Sequence, residues 1–532
     1  MSNGRIPFDF RIGITGHRNL EDPAALVPAI QEAWQGLIDL LPGQAETEVI
    51  PVAVSSLAEG ADRLVACELL AKPGSRLEVE LPVSPPDYAR DFHHEHSRKQ
   101  FLHLLERASH VRQAPLRATR EEAYEWAGRQ VVDRCDALIA VWDGQRARGR
   151  GGTAEIVQYA RDHAVPLAWV HVNGDPWVTI EHGESLHKLK GPIDDLNEYN
   201  EAAITDAAFA ARMSWQRKDL GLPLAPVASD DRLELTRERV AAWLIPFLVR
   251  ADLLAVRLQR RFRIISSAVF LMAALAVAVV AFQIIFWPQQ DWTGAFEVLL
   301  LLLLLGIPLL RNKLRFHDRW TSYRFLAERL RSAYFLALAG TGDRGQQPGQ
   351  PTSFTDPSVA WIERALAHVT AVRPDVRLSS SSVDELRSYL NDRWIGSQVT
   401  YHDKASASNH AWEIWLRSLT ATLFAITIVC ALLHTLRLGP RLHATQTLVL
   451  LSISVPAIGA AVHGIETQRE HRRHAERCRR MATLLEQLQD QMSEAQTLPQ
   501  IRQIAANVER SMREESNDWF GAMRFHDIEL IT

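Results

Sequence analysis

An apolar run from Ile264 to Trp287, IISSAVFLMAALAVAVVAFQIIFW, holds no ionisable side chain over 24 residues. At about 1.5 Å per residue, a helix of that length exceeds the roughly 30 Å hydrocarbon core of a bilayer. Arg260, Arg261 and Arg263 precede it. A second run, Trp292 to Leu310, closes with Arg311, Lys313 and Arg315, and the turn region between the two, PQQDWTGAFE, carries neither Lys nor Arg. Basic ends and a turn without basic residues orient both ends of this hairpin toward the cytoplasm. Buried helices of soluble proteins rarely keep more than about 14 uninterrupted apolar residues. The expectation is a membrane protein.

The layout then repeats. A helix pattern from Asp230 leads into the first pair of runs, and a basic helix, His317 to Gly340, follows it. Residues 341–381 read as a linker, rich in Gly, Pro and Gln at its start. After it come a juxtamembrane helix from Ser382, a run at Leu419–Leu436, the turn RLGPRLHATQ, a run at Thr447–Ile465, and a basic helix at Gln468–Gln491. Arg437 and Arg441 lie in that turn, but Arg469, Arg472, Arg473, Arg477, Arg479 and Arg480 beyond it outweigh them. Helix, span, turn, span, basic helix thus occurs twice, a repeat of layout more than of identity. Apart from Glu297, which like His434 sits near a span end, the spans contain no Asp, Glu, Lys or Arg, with Ser452, Ser454 and His463 the polar residues of the fourth. Selective ion pathways use intramembrane polar groups, so a selective transporter is not expected.

The first 180 residues alternate short apolar runs with amphipathic helices, the pattern of a parallel α/β sheet. Strands are predicted at Phe10–Gly16, Val49–Leu57, Arg76–Val83, Ala137–Gly144 and Pro166–Val172, with helices at Pro23–Leu41, Ala58–Ala71, Arg98–Arg107, Glu121–Arg134 and Thr153–His163. Such sheets bind ligands beyond the carboxyl ends of their strands, and polar residues collect there. Thr15, Gly16, His17 and Arg18 follow the first strand. Ser55, Ser56, Glu59, Gly60 and Asp62 follow the second, and Asp143 and Gly144 follow the fourth. The stretch Arg148–Glu155, RGRGGTAE, then opens a helix, where Gly151 and Gly152 would admit an anion close to the backbone and Thr153 adds a hydroxyl. Glu155, Glu59 and Asp62 read either as carboxylates acting on a ligand or as helix-start residues serving the dipole. His17 reads as an anion or base contact, or as a structural histidine. The net charge of −4 gives no argument for nucleic acid as a partner. Cys67, Cys135, Cys430 and Cys478 show no metal spacing.

ITGHR at Ile14–Arg18, SSLAEGADRL at Ser55–Leu64, CDALIAVWDG at Cys135–Gly144 and GRGGTAEIVQYAR at Gly149–Arg161 together resemble a SLOG domain. That Rossmann-like superfamily contains the Smf/DprA proteins and the LOG phosphoribohydrolases. The resemblance implies a nucleotide or nucleotide-derived ligand. Gly151-Gly152-Thr153-Ala154-Glu155 departs from the LOG pattern GGxGTxxE, lacking one glycine and bringing the carboxylate one residue nearer the threonine. On a helix this turns the side chain by about 100°, which favours binding over hydrolysis.

DRWTSYRFLAERLR at Asp318–Arg331, WIGSQVTYHDKASASNHAWEIW at Trp394–Trp415 and MREESNDW at Met512–Trp519 resemble the SLATT family of two-transmembrane modules, best over Ser382–Thr532. That resemblance implies a membrane-perturbing effector of bacterial conflict systems, triggered by a nucleotide signal. The whole chain is therefore expected to be a Rossmann-like parallel-sheet cytosolic domain followed by an all-α membrane domain of two helical hairpins. Expected partners are a nucleotide second messenger, the lipid bilayer and further copies of the chain, with no nucleic acid, metal or cofactor. The expected place is the bacterial inner membrane, multi-pass, with both termini cytoplasmic. A membrane-tethered nucleotide N-glycosidase or phosphoribohydrolase, and an adaptor with a vestigial site, stand as alternatives.

Overall fold

The computed structural model describes residues 3–43, 47–115, 119–145, 151–223, 232–287, 289, 292–341, 359–374, 376, 382–436 and 444–524. The start of the glycine-rich loop (Arg148, Gly149 and Arg150), the turns holding Pro288 and Arg437–His443, and most of the predicted linker lie outside the described residues. The chain divides into two units: residues 1–204 with 342–375, and residues 205–341 with 376–532.

The first unit is an α/β domain. In chain order it runs β1 (Phe8–Gly16), α1 (Pro23–Asp39), β2 (Val49–Ser55), α2 (Ala61–Leu70), β3 (Arg76–Leu81), α3 (Pro85–Ala89), α4 (Glu95–Glu106), β4 (His110–Gln113), α5 (Arg120–Arg134), β5 (Ala137–Trp142), α6 (Thr153–Asp162), β6 (Leu167–His171), β7 (Trp177–Glu181), a 3-10 turn (Gly183–Leu189) and α7 (Lys190–Glu201). The sheet order is β4-β3-β2-β1-β5-β6-β7, all parallel except β7. After β4 the chain returns to the other side of β1, so the order reverses between β1 and β5. That topological switch point is where sheets of this class hold ligands. The central strands β1, β2, β3 and β5 are largely buried; β2 and β5 read as nearly continuous apolar runs, whereas β1 and β3 carry buried Asp9, Arg76, Glu78 and Glu80, held in ion pairs. Helices α1 and α2 pack on the sheet together, and α5 pairs with α6. Ile156 and Val157 of α6 and Val131 and Val132 of α5 pack there on Leu138, Ala140, Trp142 and Leu167 of the sheet.

Two edge strands were not expected from the sequence. β4 (HVRQ) alternates half-buried and exposed positions over only four residues, and β7 (WVTIE) has no fully buried one. A further helix, α12 (Ala360–Ala371), lies within the stretch read as a linker and packs on β1 and α7.

The second unit is helical. It begins with α8 (Asp206–Asp219) and α9 (Arg232–Phe286), a single 55-residue helix that joins the predicted juxtamembrane helix to the first apolar run. α10 (Trp292–Leu314) and α11 (Phe316–Ala339) follow. After α12 come α13 (Val383–Tyr389), a π-helical stretch (Leu390–Gly396), α14 (Ser397–Thr435), α15 (Thr445–Arg469), α16 (His471–Glu494) and α17 (Leu498–Arg524). Among the described residues three helical stretches are long and apolar enough to cross a membrane: Arg232–Phe286, Val383–Thr435 and Thr445–Glu494. α10 adds a shorter apolar stretch, Gly294–Gly306. Exposed side chains along the apolar stretches of these helices include Leu271, Leu275, Ile284, Phe424, Ile428 and Val429, the pattern of a surface facing lipid and not water. This is a membrane protein.

The repeated layout has a structural signature. α10 and α11 are separated by Arg315 alone, and α15 and α16 by Glu470 alone, each in the left-handed region (φ 45° and 43°). A non-glycine residue there is uncommon. Each break is followed by a 24-residue helix, and each is tied into it by an i,i+3 ion pair, Arg315 with Asp318 and Glu470 with Arg473. α9 packs against α11 and α15, α14 against α15 and α16, and α11 against α17. Phe335 of α11 stacks on Trp394 of the π-helical stretch at 5.1 Å and 6°.

Candidate functional site

The switch point brings three of the predicted loops together. His17 N–H, just beyond β1, donates to Val141 O of β5 at 3.0 Å. The His17 ring reaches across to the residue after β5, its Nε2 lying 3.0 Å from the Asp143 carboxylate and 3.1 Å from the Asp143 N–H that points at it. The third loop closes from β2: Ala61 N–H donates to His17 O at 3.0 Å. Glycines make this approach feasible. A Cβ on Gly16 would lie 2.4 Å from Ala61 Cβ, and one on Gly60 2.2 Å from Arg18 O and 2.5 Å from His17 O. Thr15 is the half-buried penultimate residue of β1.

Around that junction the carboxylates are engaged by the protein. Asp62 is buried and accepts from Ser55 Oγ (3.1 Å) and Ala58 N–H (3.3 Å), while Ser55 Oγ accepts from Leu57 N–H at 2.9 Å. Burial pushes the Asp62 carboxyl up to about 6, against the hydrogen bonds and the Arg18 and Arg63 charges that favour its ionised form. Glu59 accepts from Ser97 Oγ, which also receives Arg63 Nη1 at 2.7 Å. Ser56 sits half-buried between these networks. A carboxyl with a raised folded-state pKa stabilises the protein in its protonated form, so stability falls as pH rises from the ordinary 3.8 through about 6. Asp62→Asn keeps the acceptor and removes the charge. It is expected to stabilise by up to about 3 kcal/mol at pH 8 and by about half of that at pH 5. Urea melts of the full chain at the two pH values check this; equal differences at both would show that Asp62 is ionised throughout.

The glycine-rich turn attaches to a different neighbour. Gly151 has φ +75°, and a Cβ there would lie 2.8 Å from the Glu125 nitrogen of α5. Gly152 caps α6 with no side-chain bond, and Thr153 is its first residue. Glu155 turns back so that Oε2 accepts from Gly151 N–H at 2.7 Å, with Arg129 at 3.9 Å from its other oxygen. Glu155 thus holds the first turn of its own helix to the glycine before it. α6 packs on both β5 and β1, the strands flanking the switch point. Gly144, at φ +79°, would place a Cβ 3.2 Å from the Trp169 ring.

Several neighbours were not visible in the sequence. Exposed Arg18 lies over the Tyr124 ring at 5.3 Å, and Tyr124 Oη donates to Asp91, which also pairs with Arg120. Arg63 lies over Phe92 at 4.3 Å. Tyr88 Oη and Arg63 Nη2 are buried with no hydrogen-bond partner among the described residues. Arg120 and Tyr124, four apart on α5, share a helix face, but nothing local ties them to Arg18.

Residues 389–519 match the family model of the SMODS and SLOG-associating 2TM effector domain 1, SLATT_1. That stretch is a SLATT effector region. It takes in the last residue of α13 and the whole π-helical stretch, then α14, α15 and α16, and α17 as far as Trp519. The two apolar helices α14 and α15 thus stand where the description calls for two transmembrane segments. No curated protein and no solved structure matches the chain at a significant level. The SLATT effector region therefore sits in one chain with a doubly wound α/β unit.

Proposed function

We propose that this chain is a nucleotide-signal receptor fused to its own membrane effector. The nucleotide binds at the carboxyl edge of β1, β2 and β5, in the SLOG-like manner, and favours a state of the helical unit that opens or disrupts the bilayer. The effector belongs to a bacterial conflict system, works as a homo-oligomer, and crosses the inner membrane four times with both termini in the cytoplasm. The SLATT match at residues 389–519, in the same chain as a doubly wound sheet, carries this reading. The ligand acts by binding the active state more tightly than the resting one. Binding is favoured over turnover because Asp62, Glu59 and Glu155 are each held by donors of the protein itself.

Thermal melting of the full-length protein in detergent, against a panel of nucleotides and nucleotide-derived rings, tests the receptor half. Gly152→Asp is the control. Asp is a good N-cap residue, so the fold is kept, while its carboxylate takes the place of an anion at the start of α6. A compound that raises the midpoint of the wild type by several degrees and leaves the variant unmoved supports the site. Liposome leakage with that compound tests the effector half. Free base released during the incubation would replace the receptor with the glycosidase, and no shift with any compound would leave an adaptor.

A further inference from the structure

Along the carboxyl edge of the sheet, beyond the switch point, one row of aromatic rings continues across β5, β6 and β7. Trp142, His171 and Trp177 are register partners on adjacent strands and so share a face, and Trp169 lies on that face two residues before His171. Their rings form a stack. Trp142 to Trp169 is 5.0 Å at 32°, Trp169 to His171 is 3.8 Å at 25°, and His171 to Trp177 is 3.5 Å at 5°. The inner end of the stack is core. The outer end is not: Trp177 is 53% exposed. The last pair thus has the spacing and parallelism of stacked bases, with an open indole at its end.

The stack is tied to the candidate site. Trp169 Nε1 donates to Trp142 O at 2.9 Å, Asn173 Nδ2 donates to Asp143 O at 2.9 Å, and the Gly144 backbone lies against the Trp169 ring. β7 is two strands from β5, about 10 Å at the usual spacing, which a nucleoside phosphate can span. The platform is also electrically quiet. Arg161, over Trp142 and Trp169, is committed to Glu181 through two hydrogen bonds of 2.7 Å. His171 is oriented by Thr179 Oγ1 at 3.0 Å, and burial moves its titration below the ordinary histidine value, which leaves a neutral ring. Among the described residues the stacked rings carry no cation beyond Arg161, and an uncharged aromatic surface suits a base and not a phosphate.

We infer that Trp177, backed by His171, is the stacking platform for the base of a purine nucleotide whose phosphate lies at the switch point. This rests on the receptor reading above and adds to it the class of base and the residue that holds it. The contact is sequence-tolerant stacking, and a purine offers the larger face.

Calorimetric titration of the full-length protein in detergent with AMP, ADP-ribose and ribose 5-phosphate tests it. Trp177→Ala is expected to weaken AMP and ADP-ribose by about tenfold and to leave ribose 5-phosphate unchanged, while Trp177→Phe stays within about threefold of the wild type. An unaltered melting midpoint in both variants shows that the fold is intact. Equal AMP affinity in wild type and Trp177→Ala overturns the platform alone, as does a wild type that binds ribose 5-phosphate as tightly as AMP. A wild type that binds none of the three overturns the platform and the receptor reading together. Trp177-dependent binding of oligoadenylate RNA without binding of AMP overturns the assignment to a small nucleotide.

Discussion

Replacing Arg364 with alanine is expected to destabilise the α/β unit by about 3–5 kcal/mol and to lower its melting midpoint by about 10 °C. Arg364 belongs to α12, and its guanidinium grips the buried Asp136 carboxylate through Nη1 (3.0 Å) and Nη2 (2.6 Å). Arg11 N–H donates to the same carboxylate at 3.0 Å. Burial alone would push the Asp136 carboxyl up, yet the Arg364 charge and hydrogen bonds hold it below the ordinary value of 3.8. One turn along α12, His368 Nδ1 lies 2.7 Å from Asp9 Oδ1, and Arg76 joins Asp9 to His368 O. Removing one partner of a buried pair leaves a desolvated charge behind, and this is the source of the large cost.

The sign with pH follows from the lowered carboxylate. Its contribution is complete above the unfolded value of 3.8 and fades as pH falls through the lower folded value. The Arg364→Ala defect should therefore be largest at neutral pH and shrink near pH 4, where an orphaned Asp136 can take a proton. Asp136→Asn in the Arg364→Ala background should recover part of the loss at pH 7. Melts of the full chain at both pH values, with the double-mutant cycle, decide the matter. A defect independent of pH would point to lost packing in place of a lost ion pair.

That prediction also marks where sequence reasoning stopped. Strands β2 and β5 were legible because burial on both faces demands apolar runs, and the long apolar helices because hydrocarbon tolerates no charge. α12 was not, although its sequence, AWIERALAHVTA, has a clear apolar face with Trp361, Ile362, Ala365 and Val369 buried. Its Arg364 and His368 look like a solvated polar face until Asp136 and Asp9, 228 and 359 residues away, are brought against them. Long-range ion pairs leave no local pattern. The consequence reaches the site itself: Asp9 lies in β1 and Asp136 just before β5, the two strands that present His17 and Asp143 at their other ends. The strands at the switch point are thus held from below by a helix whose chain neighbours are α11 and α13. The site loops were legible as glycine-rich and polar, but the task of each glycine was not, since Gly16 and Gly60 admit a neighbouring loop and Gly151 admits α5.

Gly60→Ala carries the second large effect, expected at about 3 kcal/mol of stability together with loss of the proposed nucleotide binding. Gly60 has φ +79° and ψ −121°, a conformation that residues with a Cβ rarely adopt, worth on the order of 1–3 kcal/mol in strain. The added methyl would also meet the Arg18 and His17 carbonyl oxygens at 2.2 and 2.5 Å. Both are backbone atoms, so neither can swing aside as a side chain would, and such overpacking adds about 1–3 kcal/mol. Relief requires moving the β2 loop away from His17, which breaks the Ala61 N–H to His17 O bond and frees the ring that faces Asp143. Gly174→Ala separates the two contributions. Gly174 has nearly the same φ, +80°, but nothing lies within 4 Å of where its Cβ would stand. That variant should lose only about 1 kcal/mol and bind nucleotides as the wild type does. If the two variants melt alike and bind alike, contact between the loops contributes nothing, and the junction at the switch point is not what shapes the site.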